Sequence, residues 1–246
     1  MKVISLNLWN GRAGKQGLLD FFNRNKDVDI FCLQEVWEGG HEHAPRWGGN
    51  ITTSLITEIQ NILDEHTVFF RPHYMEWYGL AVFAKREMDI KKEADVFVFK
   101  ERKNIFEDSS ENHARNIQYI TVETDKGMRT IINFHGLWNG QGKEDNEERL
   151  LQSENILKFI KTIDHPYILC GDFNLLPHTE SLKKFENHGL RNLIKEYGIT
   201  STRTSLYEKP ARFADYAFVS EGITVHDFKV LSDEVSDHSP LYLDFW

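Results

Sequence analysis

Cysteine is nearly absent from this chain: Cys32 and Cys170 are the only two in 246 residues. Two thiols, each inside an apolar run, exclude a disulfide framework and a cysteine-based zinc site, and they make a reducing, cytoplasmic compartment the expectation. Long hydrophobic runs are missing too. No stretch approaches the roughly 18 consecutive apolar residues of a membrane span, no signal peptide is visible after Met1, and stable membrane association is not expected. Basic charge is also scarce, with 29 Lys and Arg against 38 Asp and Glu, a net charge of −9. A protein with that balance does not coat polyanions by charge alone, although an enzyme that meets its substrate briefly is still allowed. Without an internal repeat, low-complexity tract or linker, the chain reads as one domain over residues 1–246, with a monomer as the expectation.

What is present is an alternation of short apolar runs and amphipathic stretches. Val3 to Leu8 reads as a strand, Leu18, Leu19 and Phe22 share one face of a short helix, and Ile30 to Leu33 reads as a buried strand, which together make a βαβ opening. Leu55, Ile56, Ile59, Ile62 and Leu63 have helical spacing behind a cap at Thr52, Thr53 or Ser54. Strand patterns follow at 67–70 and 80–83. The pair 116–124 and 128–134, joined through Asp125-Lys126-Gly127, reads as a hairpin. Leu150, Leu151, Leu157, Ile160 and Ile163 mark a longer helix, and 180–187 a shorter one. Strands are expected at 167–170, 213–219, 224–231 and 241–245. The polar segments 38–50 and 101–113 read as surface loops beside a site. The class is therefore α/β with mixed pairing.

One pattern recurs along the chain: an apolar strand stops and carboxylates, amides or imidazoles follow. It occurs at Asn7, at Gln34-Glu35, at His135, at Asp172-Phe173-Asn174 and at Asp237-His238. Ligands of open α/β sheets bind at strand ends, so these residues are expected to converge on one cleft. Taken singly, Asn7, Asn174 and Asp172 read equally well as turn or capping residues, and Asp237-His238 as a polar turn. If Glu35, Asp172, Asp215 and Asp237 share a cleft, their repulsion must raise some pKa values or be met by a cation. Carboxylate and amide oxygens suit Mg²⁺ or Mn²⁺. His41-Glu42-His43, the nearest zinc-like feature, lacks the spacing of a zinc site.

These residues carry a resemblance. Ser-Leu-Asn-Leu-Trp at 5–9, Leu-Gln-Glu at 33–35, Asn-Phe-His at 133–135, Gly-Asp-Phe-Asn at 171–174, Ala-Asp-Tyr-Ala-Phe-Val-Ser at 214–220 and Ser-Asp-His-Ser-Pro at 236–240 resemble, in order, the motifs of the endonuclease/exonuclease/phosphatase superfamily. Each motif is weak alone; their order over nearly the whole chain is specific. The resemblance implies a four-layer α/β/β/α sandwich, two mixed sheets face to face with helices outside. It also implies Glu35, Asn7 and Asp237 as metal ligands, Asp172 as the residue that orients and deprotonates water, and Asn174 as a donor to phosphate or water. His238 would face the metal with Asp215 fixing its ring, His135 would lie near the phosphate, and Arg115 would brace the site. Whether Asp172 or His238 is the base stays open.

A phosphate ester is the implied substrate, and the sequence favours a phosphodiesterase acting on nucleic acid. A phosphomonoesterase or sphingomyelinase-like phospholipase is the alternative, and a binding module without turnover a further one. Lys143, Arg203 and Arg212 are candidates for gripping phosphates, and Trp37, Trp47, Trp77 and Trp138 for stacking on a base, sugar or lipid, unless they simply pack loops. The segment 211–216 lacks the tryptophan-arginine pair of many abasic-site endonucleases, which weakens that specificity.

Overall fold

The computed structural model describes residues 1–48, 50–102 and 113–246. The chain opens with strand β1 (Lys2–Asn7), helix α1 (Lys15–Arg24) and strand β2 (Ile30–Trp37), and β1 runs parallel to β2 with Val3 level with Ile30. Helix α2 (Leu55–Ile62) precedes strands β3 (His66–Tyr74), β4 (Tyr78–Lys85) and β5 (Asp89–Phe99). The expected hairpin is β6 (Arg115–Thr124) and β7 (Gly127–His135), and its turn closes on Gly127 at φ 94°, a conformation that favours glycine. Then come α3 (Glu147–Ile160), β8 (Tyr167–Asp172), α4 (Glu180–Asn187), β9 (Arg191–Asn192), α5 (Leu193–Glu196), β10 (Asp215–Val219), β11 (Val225–Val230) and β12 (Leu241–Phe245).

Among the described residues twelve strands form two mixed sheets of six, ordered β11-β12-β1-β2-β4-β3 and β5-β6-β7-β8-β10-β9. Each has one parallel pair near its middle, β1 with β2 and β7 with β8, bridged by α1 and α3 respectively. Alternation along the strands produces the layers. Val3, Ile30 and Cys32 pack into the cluster shared with β6, β7 and β8, whereas Ile4, Leu6, Phe31 and Leu33 pack with Leu18, Phe21 and Phe22 of α1 and Leu55 and Ile59 of α2. On the far side, Phe185 of α4 meets Phe173 and Phe218, and Phe159 of α3 meets Tyr119. The result is the α/β/β/α sandwich.

Several expectations are corrected. Ser54 does cap α2, but its side chain makes no capping bond; the Glu38 carboxylate accepts from the Ile56 and Thr57 backbone N–H groups at 2.8 and 3.2 Å. Ile163 lies beyond α3, which the chain leaves through Thr162, its hydroxyl donating to the Phe159 carbonyl at 2.7 Å. The expected loop 38–50 contains a 3₁₀ turn at His41–Trp47, and most of the segment 101–113 lies outside the described residues. Both thiols are free and buried; contact with Cys170 and burial push the Cys32 thiol up, so it is unreactive. Among the described residues no helix is long and apolar enough to cross a membrane.

A buried amide pair ties the sheets together. Gln34 Nε2 on β2 donates to Asn133 Oδ1 on β7 at 2.7 Å, and Asn133 Nδ2 donates back to the Leu33 and Ala81 carbonyls at 3.0 and 3.3 Å. Replacing Asn133 by leucine removes the buried link between the sheets and leaves Gln34 Nε2 with only the Ser5 hydroxyl and the Cys32 carbonyl, which costs about 1–3 kcal/mol. Asn133→Leu is therefore expected to lower the urea midpoint with little change in slope; wild-type stability in the variant would contradict the role given to the pair.

Candidate active site

Strand register gathers the polar residues. On the second sheet Asp172 ends β8 level with His135 at the end of parallel β7 and with Asp215 at the start of antiparallel β10. On the first, Asn7 ends β1 level with Gln34 of β2. Glu35 follows, and strict alternation would turn it away from Gln34 toward the outer helices. A bulge intervenes: Leu33 faces Ala81 and Val36 faces Gly79, with Glu35 at φ 53° between them. That left-handed residue re-aims the carboxylate into the cleft between the sheet ends. Close approach of β7 and β8 does the rest, since a Cβ at Gly171 would strike the Phe134 carbonyl oxygen.

The sheet ends meet directly. Asn7 Nδ2 donates to Asp172 Oδ2 at 2.9 Å and to Glu35 Oε1 at 3.2 Å, while Asn10 Nδ2 donates to Glu35 Oε2 at 2.9 Å. His135 Nε2 lies 3.7 Å from Asp172 Oδ2 and 3.9 Å from Glu35 Oε1. Facing this group, His238 donates from Nδ1 to both Asp215 oxygens at 2.8 and 2.9 Å, and its Nε2 lies 3.6 Å from Asp172 Oδ2 and 3.7 Å from Asp237 Oδ1. The Asn174 backbone N–H donates to Asp172 Oδ1 at 2.8 Å, at φ 53°. Arg115 is buried, with Nε donating to the Gly136 carbonyl at 2.9 Å. All nine residues singled out from the sequence thus border one cleft or support it from beneath.

Its electrostatics follow from burial and neighbours. Burial, with Asp237 and Asp172 nearby, raises the Glu35 carboxyl against the opposing pull of His238 and Asn7. Burial also works against ionised Asp172, but the positive charges of His238, Lys143 and Arg203 outweigh it and hold Asp172 below the usual carboxylate range. For His238, burial and Arg203 favour the neutral ring, yet Asp215, Asp237 and Asp172 prevail and its pKa is raised. His135 goes the other way, pushed down to about 3 by burial and Arg115, and is neutral.

Sequence reading did not single out some of the residues at the site. The cleft is a pocket of about 370 Å³ that Asn10, Tyr78, Arg12 and Trp9 also line. Tyr78 stays protonated, burial and the Glu35 charge raising its pKa. Beneath lies His73, neutral through burial and Arg115, bonded through Nδ1 to Asn116 Oδ1 at 3.1 Å. Trp9 closes the motif at 5–9 and Asn10 directly follows it, whereas Arg12, Tyr78 and His73 follow no recognisable strand-end motif. Of the phosphate-gripping candidates, Lys143 and Arg203 line the pocket, and exposed Arg212 does not. Trp47 and Trp138 line it too, whereas Trp37 and Trp77 are buried and stacked on each other at 4.2 Å.

Two groupings offer themselves to a cation. Asp172, Asp215 and His238 bring buried ligand atoms within 4.8 Å of one another and could hold a metal ion. There, however, the His238 Nδ1–H already neutralises Asp215. Glu35 and Asp172 have only amide donors between them, and Asp237 Oδ1 is buried without a partner. In ligand type those oxygens suit a hard divalent ion better, while among the described residues the ligand atoms that lie within 4.8 Å of one another are those of Asp172, Asp215 and His238.

The model of the endonuclease/exonuclease/phosphatase family matches residues 4–238. No curated protein matches the sequence at a significant level. Among solved structures, an endonuclease/exonuclease/phosphatase family protein from Bacteroides thetaiotaomicron superposes with a TM-score of 0.75 at 19% identity, over 100% of this chain and 94% of that one. A mannosyl-6-phosphatase of the same organism gives 0.74 at 18%, over 100% and 99%, and the human Nocturnin catalytic domain with bound sulfate gives 0.69 at 20%, over 100% and 93%. At such identities the likeness is one of fold.

The His238–Asp215 pair generates a direct expectation. Asp215→Asn removes the nearest carboxylate charge while keeping an acceptor for Nδ1–H, so the His238 pKa should fall. An NMR titration of the ring C–H signals reads this; an unchanged or higher midpoint would show that Asp215 does not govern the imidazole.

Proposed function

As this chain belongs to the endonuclease/exonuclease/phosphatase family, we propose that it is a divalent-metal-assisted phosphoester hydrolase that drives water onto a phosphate carried by a substrate small enough to enter its pocket. The observation that carries the reading is the convergence of the Glu35–Asn7–Asp172 group and His238 on one pocket, with Asp172 Oδ2 3.6 Å from His238 Nε2.

Glu35, Asn7 and the free oxygen of Asp237 would hold Mg²⁺ or Mn²⁺, beside Asp172; when bound, the ion supplies Lewis-acid polarisation of the phosphoryl oxygen and offsets charge on the leaving oxygen. Ionised Asp172, locked by Asn7 and by the Asn174 N–H, orients the attacking water and accepts its proton. Its depressed pKa makes it a weak base, so positioning is its larger contribution. His238, held protonated by Asp215, offers Nε2–H to an equatorial phosphate oxygen, where negative charge grows in the transition state. Arg115 sets a positive charge beneath the site, and neutral His135 presents Nε2 toward the phosphate. Asn174 would bind a phosphate oxygen through its side chain.

Pocket size and the net charge of −9 favour a small phosphate ester. The phosphodiesterase or nuclease reading shares this centre and has one observation in its favour, the indole rings of Trp9, Trp47 and Trp138 along the pocket, which suit a nucleobase.

Glu35→Gln and His238→Ala are each expected to lower kcat roughly 100-fold or more with the fold intact by circular dichroism, and exhaustive chelation to abolish turnover reversibly. The assay pairs a panel of small phosphate monoesters with bis(p-nitrophenyl) phosphate and oligonucleotides in Mg²⁺. Full activity after chelation, or in Glu35→Gln, would refute the mechanism.

A further inference from the structure

The two halves of the pocket differ in charge. Loops near the first sheet contribute Trp9, Asn10 and Trp47 beside Glu35, with Arg12 as their cation, its Nη2 donating to the Trp47 carbonyl at 2.7 Å. Segments that leave or enter the second sheet contribute Trp138, Lys143, Arg203, Tyr207 and Lys209. Two cations lie against the Tyr207 ring there. The Arg203 guanidinium sits 4.0 Å from its centroid and Lys143 Nζ 5.3 Å, while Lys209 Nζ lies over Trp138 at 5.5 Å.

These cations are not fully matched within the chain. Arg203 gives Nη1 to Asp237 Oδ2 at 2.9 Å, but its Nε is buried without a partner. Lys143 is buried and spends one proton on the Phe213 carbonyl at 3.1 Å. Among the described residues neither Lys143 nor Lys209 has a carboxylate within ion-pair distance. Burying an ammonium beside a guanidinium is unfavourable, and burial followed by Arg203 pushes Lys143 down to about 8. The arrangement costs stability unless an anion enters. Lys143 and Arg203 help to keep Asp172 ionised, but His238 and the ion would already meet the scissile phosphate, so the remaining N–H groups of this wall are left for another anion.

We infer that Lys143, Arg203 and Lys209, arranged around Tyr207, form a second phosphate subsite, so that the preferred substrate is a small molecule carrying two phosphoryl groups. A phosphate dianion matches this wall in charge and in acceptor number, because Lys143 and Lys209 each present ammonium protons and Arg203 an unused N–H. A carboxylate, with a single charge, would leave the wall undersatisfied. The inference rests on the reading of the pocket as a phosphate-ester site, and it adds the identity of the substrate's other anchor.

Binding separates the two claims. Adenosine 5′-monophosphate and adenosine 3′,5′-bisphosphate are titrated calorimetrically into the full chain in chelator, where neither is turned over. The bisphosphate is expected to bind at least roughly tenfold more tightly. Lys143→Met should bring the ratio of the two dissociation constants close to one, and so should Lys209→Met, in an exposed loop whose alteration leaves the core intact. A ratio near one in the wild type, a ratio unchanged in both variants, or no binding of either nucleotide overturns the inference. A preserved ratio with no hydrolysis in Mg²⁺ would sink the hydrolase reading and leave the subsite standing; hydrolysis without the ratio would do the reverse.

Discussion

The hydrogen bond from Asn7 Nδ2 to Asp172 Oδ2 holds the site together, because it joins the end of one sheet to the end of the other across 165 residues of sequence. Either sheet alone would present a shallow row of polar strand ends. Packed face to face, with Asn7, Glu35 and Asp172 sharing donors, the rows become two sides of a cleft. A second link between the sheets, the buried Gln34–Asn133 pair, joins β2 to β7. Movement of one sheet against the other by a fraction of an ångström would therefore reach the acids before any loop.

The same constraint explains the charge pattern. Four carboxylates, Glu35, Asp172, Asp215 and Asp237, are brought near one point, and every one has a specific counterweight. Asn7 and Asn10 supply neutral donors to Glu35, His238 neutralises Asp215, and Arg203 pairs with Asp237. Asp172 draws on the widest set of cations. Neutral donors leave Glu35 free to serve a cation, whereas a bidentate arginine would have competed for the same oxygens. The amides around Glu35 are thus as informative as the acid itself.

Much of the scaffold was legible because its strands are buried on both faces and stop at polar residues. Ile30 to Leu33 and Tyr167 to Cys170 read as strands on apolarity alone, and the hairpin on its Asp-Lys-Gly turn. Strand β5 was not foreseen: Asp89-Ile90-Lys91-Lys92-Glu93-Ala94-Asp95 is polar because it edges a sheet with much of its surface in solvent. At the site, Glu35 and Asp172 stand out by following apolar runs. Lys143 and Arg203 were legible only as cations that could grip a phosphate; their places in the pocket come from the isolated Arg203–His238 bridge between irregular segments and from the burial of Lys143.

Rigidity is divided unevenly around the pocket, and this bears on where specificity resides. Trp47 is wedged against Trp37, Tyr74, Trp77 and Tyr78 with ring centroids 5.0–6.0 Å apart, so its face of the pocket is preformed. Trp138, Tyr207 and Lys209 are only partly buried or exposed and lie on segments between elements. Hydrolytic groups sit on strand ends and on the bulge, where main-chain pairing limits their freedom to the geometry that the chemistry needs. The outer part of the substrate's second anchor, Tyr207 and Lys209, sits on a loop whose exchange alters affinity, whereas Arg203 and Lys143 are tied to Asp237 and Asp172. A centre fixed by sheet register can therefore keep its acids while the outer wall changes, and one scaffold can serve different phosphate esters.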